Sequence, residues 1–277
     1  MKLDHISPST LGQAARCGEQ LRHRLQEGPE PPGFSLIRGR AVHKSIESNL
    51  TAKMTHGATL SLAELDAITR DEITRALEVD DVRLDLAEDG ESLTWTESRD
   101  VTIDSAITLS TLHARVVAPV LLPTAVEVRV ELVTQTLPVP LVGVIDLIAL
   151  DRGNGEAVRD HKTAAKKPDA RAAVDSDQLT AYDALYRGLR GEPPKRLILD
   201  QLVMPTKTLP ARYFEQESAP RGDADFAALA GRVDRVVAMV DKEIWIPAPE
   251  GSWACSERFC GYWSRCVFAR GRNRPTQ

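Results

Sequence analysis

Asp146, Asp160 and Lys162 are the residues of this chain whose types and spacing point most directly to chemistry. They lie in two apolar, β-branched runs, Gly143-Val144-Ile145-Asp146-Leu147-Ile148 and Val158-Arg159-Asp160-His161-Lys162-Thr163. Asp151-Arg152-Gly153-Asn154-Gly155 supplies turn residues between them, so the pattern predicts a β-hairpin. Side chains alternate along a strand, so Asp160 and Lys162 share one face and the hairpin sets Asp146 beside them. Two carboxylates and one ammonium on a small surface suit metal-assisted phosphodiester hydrolysis. The carboxylates hold one or two divalent cations while the lysine positions or polarises the attacking water. His161, between the two, is expected to turn its imidazole away and offer only its backbone carbonyl.

Other residues fall in a suggestive order around the hairpin. Upstream, Arg38-Gly39-Arg40-Ala41-Val42-His43-Lys44-Ser45-Ile46-Glu47 belongs to a predicted helix, in which Glu47 follows His43 by one turn. Glu127 lies in the apolar run Ala125-Val126-Glu127-Val128-Arg129-Val130. Downstream, Gln178 and Tyr182 in Gln178-Leu179-Thr180-Ala181-Tyr182 are i and i+4, which puts both on one side of a helix. The four cysteines are split one and three, with Cys17 near the start and Cys255, Cys260 and Cys266 near the end. That split does not suit a disulfide framework in a chain without an apolar signal-peptide core. Four thiolates suit either zinc or an iron-sulfur cluster.

Taken together, these residues resemble the PD-(D/E)xK nuclease superfamily, and within it the RecB-type nucleases. Asp146 and Asp160-x-Lys162 resemble the core signature, Gly39-x-x-x-His43 and Gln178-x-x-x-Tyr182 its flanking elements, and Glu127 the acidic residue on the preceding strand. The cysteine split is similar to that of the iron-sulfur subclass, which includes CRISPR-associated exonucleases and the AddB nuclease domain. The resemblance spans roughly residues 5 to 50 and 125 to 268. Ile145 stands where the superfamily name has proline, Asp160 replaces the commoner glutamate, and the cysteine spacing is Cys-x4-Cys-x5-Cys, wider than the usual Cys-x2-Cys.

The resemblance implies a DNA nuclease acting from an end. Mg2+ or Mn2+ would be held by His43, Asp146, Asp160 and the His161 carbonyl, with Glu127 and Glu47 just outside the ligand set. Lys162, Gln178 and Tyr182 would complete the catalytic group. Cys17, Cys255, Cys260 and Cys266 are expected to bind a structural 4Fe-4S cluster, with zinc as the lesser alternative. Trp245, Trp253, Tyr262 and Trp263 would pack around it. Two rival readings are a non-catalytic DNA-binding or recombination accessory of the same fold, and a zinc-stabilised interaction module. An intact Asp146, Asp160 and Lys162 set argues against a module that only binds.

The bulk properties fit this reading. With 277 residues and 42% hydrophobic content the chain can bury a sizeable core. No run approaches the ~18 apolar residues of a membrane span, and a cytoplasmic location is expected. The net charge is −5 and the pI about 5.8, so the whole chain is not basic in the manner of many nucleic-acid binders. Acidic residues concentrate between 64 and 91. Basic ones gather at Arg22, Arg24, Arg38, Arg40 and Lys44, at Lys162, Lys166 and Lys167, and at Arg258, Arg265, Arg270, Arg272 and Arg274. These three groups flank the site in sequence and could line a phosphate-tracking groove, the alternative being a solvated surface. No Gly-x-x-x-x-Gly-Lys-Ser/Thr loop occurs, so any helicase or recombination partner would be a separate protein.

The elements that must position these residues follow from capping and periodicity. Ser7 or Ser9 caps a helix over about 11–25 that carries Cys17. Further helices are expected over about 37–52, from the Ser61-x-x-Glu64 capping box to about 77, and over about 92–117. Strands follow at 125–133, 138–150 and 156–162, a helix at 176–190, a strand at 196–204, an edge strand at Tyr213-Phe214-Glu215, and a helix at 223–243. The order predicts an α/β nuclease core, a mixed sheet flanked by helices, with an N-terminal helical insertion and a C-terminal cysteine-rich tail. One domain spans 1–277: N-terminal helices to 50, a helical insertion over 51–124 that would arch over the site, a catalytic core over 125–205, and the C-terminal helix with cysteines over 206–277.

Overall fold

A computed structural model describes residues 1–79, 81–84, 93–151 and 155–270. Arg152, Gly153 and Asn154 of the expected turn lie outside the described residues, as do Ser92, Arg272, Arg274 and the acidic Asp80, Asp85, Glu88, Asp89 and Glu91.

The sheet has five strands in the spatial order β1-β2-β3-β4-β5, with β1 Pro123–Leu132, β2 Leu141–Leu150, β3 Glu156–Ala164, β4 Arg196–Val203 and β5 Arg212–Ser218. Neighbours are antiparallel except β3 and β4, which run parallel. A parallel pair needs a crossover, and helix α6, Asp177–Arg190, provides it. Its start is fixed by Ser176, whose Oγ accepts the Leu179 N–H at 3.1 Å, and its end by Gly191 in the left-handed region at φ 79°.

Helices cover both faces. On one, α6 packs with α1, Pro8–Arg16, and α7, Asp223–Asp241. Leu11, Leu179, Leu185, Leu229 and Val233 meet Leu141, Val158 and Leu197 of the sheet there. On the other, α3, Phe34–His56, packs with α4, Leu62–Val79, and α5, Trp95–Leu112. There Ile37, Val42, Ile46, Ile73 and Leu109 meet Leu147, Ala149 and Leu202. The architecture is the expected mixed α/β sheet between helical layers with an N-terminal helical region. Among the described residues no helix is long and apolar enough to cross a membrane.

Three local expectations need correction. The helix over 11–25 is two helices, α1 and α2, Gly18–Glu27, broken at Cys17, whose backbone is extended at φ −165° and ψ 111°. The break follows from a distant contact: the Gly18 N–H donates to the Ile246 carbonyl at 2.7 Å in the C-terminal segment. The helix expected over 92–117 starts at Trp95, where Thr94 and Glu97 form a capping box. It gives way after Leu112 to a π turn, His113–Val117, and a 3-10 turn, Ala118–Val120. The edge strand is longer than the three residues anticipated. The Ser61 and Glu64 capping box is formed reciprocally, with Glu64 N–H to Ser61 Oγ at 3.3 Å and Ser61 N–H to Glu64 Oε2 at 2.8 Å.

The crossing at Gly18 leaves no room for a side chain, since a Cβ there would lie 2.7 Å from Ile246 N and 2.8 Å from its O. Both obstacles are backbone atoms and cannot rotate away. Gly18→Ala is therefore expected to lower unfolding free energy by about 1–3 kcal/mol, read from the urea midpoint. An unchanged midpoint would contradict the close approach.

Candidate metal-binding and hydrolytic site

The candidate site forms where the β2–β3 ladder stops. The last pair toward the site is Leu147 with Arg159, and beyond it the residues of β3 are paired with β4 on one side only. The Asp146 side chain takes over the role of a ladder acceptor, with the His161 N–H donating to its Oδ2 at 2.8 Å. Asp160 and Lys162 share a face, as strand alternation requires, and Lys162 Nζ donates to Asp160 Oδ1 at 3.0 Å. Asp160 is fully buried, whereas the Lys162 side chain is 41% exposed. Burial pushes both carboxyls above the usual carboxylate range, and the Lys162 ammonium opposes the shift. Asp160 Oδ2 is buried without a hydrogen-bond partner among the described residues.

Helix α3 brings His43 to this pair, with Nδ1 3.6 Å from Asp146 Oδ2. Burial depresses the His43 pKa and the Lys162 charge adds to the effect, which favours the neutral imidazole that can ligate a metal. From β1, Glu127 lies across from Asp146, between the pairs Val126 with Leu147 and Val128 with Ile145. Its backbone is left-handed at φ 49°, a conformation that costs a non-glycine residue roughly 1–3 kcal/mol in mid-strand. Burial, then the negative charges of Asp146 and Glu47, push its pKa up to about 7. Donor atoms of His43, Glu127 and Asp146 lie within 4.8 Å of one another, close enough to share one cation. Glu127, anticipated outside the ligand set, therefore joins it in geometry, while Asp160 stands beside this trio.

Helix α6 contributes the third wall. Gln178 Nε2 donates to Asp160 Oδ1 at 3.1 Å and to the Tyr182 hydroxyl at 2.8 Å, so the i, i+4 pair reaches the site as one unit. Burial raises the Tyr182 pKa, so the phenol stays protonated. The helix sits close because Gly143 on β2 leaves a gap that a Cβ would fill to within 2.6 Å of Leu185 Cδ1. The His161 ring is buried and points away from Asp160 and Lys162, its centroid 5.2 Å from that of His113 and 6.3 Å from that of His43, with Nδ1 3.9 Å from Asp146 Oδ2.

Of the site residues, His43, Glu127 and Lys162 open onto a cleft of about 510 Å3 that Arg40, Lys44 and Glu47 also line, together with Glu72 and Arg75 of α4. Glu47 is held by Lys44 at 2.9 Å and Arg75 by Glu72. Glu72, Arg75 and Thr163 were missed. The capping box announced α4, but only its packing on α3 shows which face meets the cleft. Of the basic residues named above, Arg40, Lys44 and Lys162 line this cleft. Arg22 instead donates to Glu19 at 2.7 Å, Arg24 to Gln13 at 3.2 Å, and Arg265 pairs with Glu27 at 2.7 Å.

The break after α1 turns Cys17 toward the C-terminal segment, and its Sγ accepts the Ala248 N–H at 3.3 Å across 231 residues of sequence. Burial pushes the Cys260 thiol up to about 11, and Cys17 and Cys266 lie near enough to add to that shift. Tyr262 is buried there, stacked on His23 at 5.1 Å, and donates to the Gly28 carbonyl at 2.6 Å. Trp253, expected to pack around the cysteines, is instead 65% exposed against Phe259.

The crystal structure of SSO0001 is similar in shape, with 14% identity, coverage of 97% of this chain and 88% of that one, and a TM-score of 0.44. Curated proteins gave no sequence match. The family model described as the PD-(D/E)XK nuclease superfamily matches residues 5–267, nearly the whole length. The chain belongs to the PD-(D/E)XK nuclease superfamily.

Proposed function

We propose that this protein is a RecB-like nuclease of the iron-sulfur type that hydrolyses DNA phosphodiester bonds from strand ends. The observation that carries the reading is the convergence of His43, Glu127 and Asp146 beside the unpartnered, buried Asp160 Oδ2. A pocket rich in hard oxygen acceptors and short of donors fits a divalent cation. His43, Glu127, Asp146, Asp160 and the His161 carbonyl would hold Mg2+ or Mn2+, which would supply Lewis-acid activation of water and neutralise phosphate charge. Lys162 orients the attacking water and stabilises negative charge that develops on the phosphate. Gln178 holds Asp160 and, with Tyr182, contacts the scissile phosphate. Arg40, Lys44 and Arg75 draw the DNA backbone into the cleft. Action from an end, in concert with a separate helicase or recombination protein, rests on the resemblance of the motif set to RecB-type exonucleases.

The four cysteines are read as ligands of a 4Fe-4S cluster that clips the N-terminal helices to the C-terminal tail of one domain. The position of Cys17 against Ala248, and of Cys260 near Cys17 and Cys266, supports that reading. Such a clip closes a loop of nearly the whole chain and restrains ends that otherwise fray.

With end-labelled single- and double-stranded DNA, the wild-type protein is expected to shorten substrate only when Mg2+ or Mn2+ is present. Asp146→Ala and Asp160→Ala should abolish hydrolysis, and Lys162→Ala should lower kcat about 10²–10³-fold, all with wild-type circular dichroism. Full activity in all three variants would sink the assignment. Anaerobically purified protein should be brown with broad visible absorbance, and Cys260→Ala colourless and aggregation-prone. A colourless wild type carrying one zinc per chain would overturn the cluster and leave the nuclease reading standing.

A further inference from the structure

Behind the strand that carries Asp160 and Lys162 lies a buried polar cluster that the hydrolytic reading does not use. Arg159 of β3 grips Asp200 of β4 with two hydrogen bonds, Nε to Oδ2 and Nη2 to Oδ1, both at 2.7 Å. The Tyr213 hydroxyl of β5 donates to Asp200 Oδ1 at 2.5 Å, and Arg159 Nη2 also donates to Glu215 Oε2 at 2.6 Å. Asp200 is fully buried and lies opposite His161 in the parallel register, its Oδ2 3.6 Å from His161 Nε2. One cluster thus joins β3, β4 and β5 on the face opposite Asp160 and Lys162.

Stability alone does not account for such a cluster. Buried ion pairs replaced by apolar residues of similar volume often leave a protein equally or more stable, because desolvation offsets the attraction. A bidentate guanidinium–carboxylate pair supplies direction, since its two parallel hydrogen bonds fix the relative placement of the groups that carry them. Direction is what this part of β3 lacks. Its ladder with β2 ends at Arg159, so Asp160, His161 and Lys162 hold one neighbouring strand only. Arg159 is the last residue with pairing on both sides and the first of the segment that carries the chemistry.

We infer that Arg159, Asp200 and Tyr213 are positioning residues that clamp β3 from behind and hold Asp160, the His161 carbonyl and Lys162 in register for metal binding. The inference rests on the metal-dependent nuclease reading. Strand alternation couples the two faces, because a shift of Arg159 carries Asp160 and Lys162 with it.

The test compares wild type with Arg159→Met/Asp200→Leu, which exchanges the pair for apolar side chains, and with Tyr213→Phe. Thermal melting, Mn2+ affinity by electron paramagnetic resonance, and kcat and KM on end-labelled DNA are measured for each. The double variant is expected to melt close to wild type, to bind Mn2+ about 10–100-fold more weakly, and to lose kcat by a similar factor with KM unchanged. A folded double variant with wild-type Mn2+ affinity and kcat would overturn the clamp. Should the double variant not fold, Tyr213→Phe decides: about tenfold weaker Mn2+ binding supports the clamp, and unchanged binding overturns it. A wild-type protein that neither binds Mn2+ nor cleaves DNA would instead mark failure of the nuclease reading, from which the clamp then falls.

Discussion

Three carboxyl groups, Glu127, Asp146 and Asp160, are drawn together in a desolvated corner of the sheet, and much of the surrounding structure is arranged around that repulsion. Two like charges about 4 Å apart repel by roughly 4 kcal/mol at an effective dielectric of 20, and desolvation adds to the cost of ionising each one. Lys162 offsets Asp146 and Asp160 and Lys44 offsets Glu127, and both ammonium groups are partly exposed to water. The imbalance is visible in the chemistry of the groups: the Asp146, Asp160 and Glu127 carboxyls are all pushed up, each by burial before any other cause. A divalent cation at that point reverses the sign of the local field and makes the ionised carboxylates the favoured form.

The fold holds these groups together by giving up regular structure where they meet. The β2–β3 ladder ends so that Asp146 can accept the His161 N–H, β1 carries a left-handed residue at Glu127, and α6 settles against Gly143 closely enough for Gln178 to reach Asp160. Each departure costs stability that the two apolar cores on either side of the sheet must supply. The same economy explains the Arg159 and Asp200 cluster, which restrains a strand whose other edge was opened to make room for the site.

Much of this was legible in the residues. Apolar β-branched runs announced β2 and β3, strand alternation put Asp160 with Lys162 and turned the His161 ring away, and helical spacing kept Gln178 with Tyr182. What could not be read depends on contacts distant in sequence. The break at Cys17 exists because Ile246 captures the Gly18 N–H. The left-handed turn at Glu127 leaves no trace in an alternating apolar pattern, nor does the closeness of its carboxylate to His43 and Asp146. Arg22 and Arg24 are neighbours of Arg40 in a list of charges, yet they sit on a separate helix with carboxylate and amide partners of their own. Asp200 did offer a signal, as the lone charge in the apolar run Leu197-Ile198-Leu199-Asp200-Gln201-Leu202-Val203. Its meaning appears only once β3 and β4 are paired.

The most direct measurement of the central claim is calorimetric titration of Mn2+ into the protein at pH 7, repeated in buffers of different ionisation enthalpy. A carboxyl whose pKa is raised to about 7, as at Glu127, is partly protonated there, so a cation that binds it must expel that proton. The account predicts Mn2+ binding with net proton release, weakening as the pH falls below 7, and lost in Asp146→Asn. Wild-type protein that takes up no Mn2+, or takes it up with no proton released, would contradict it.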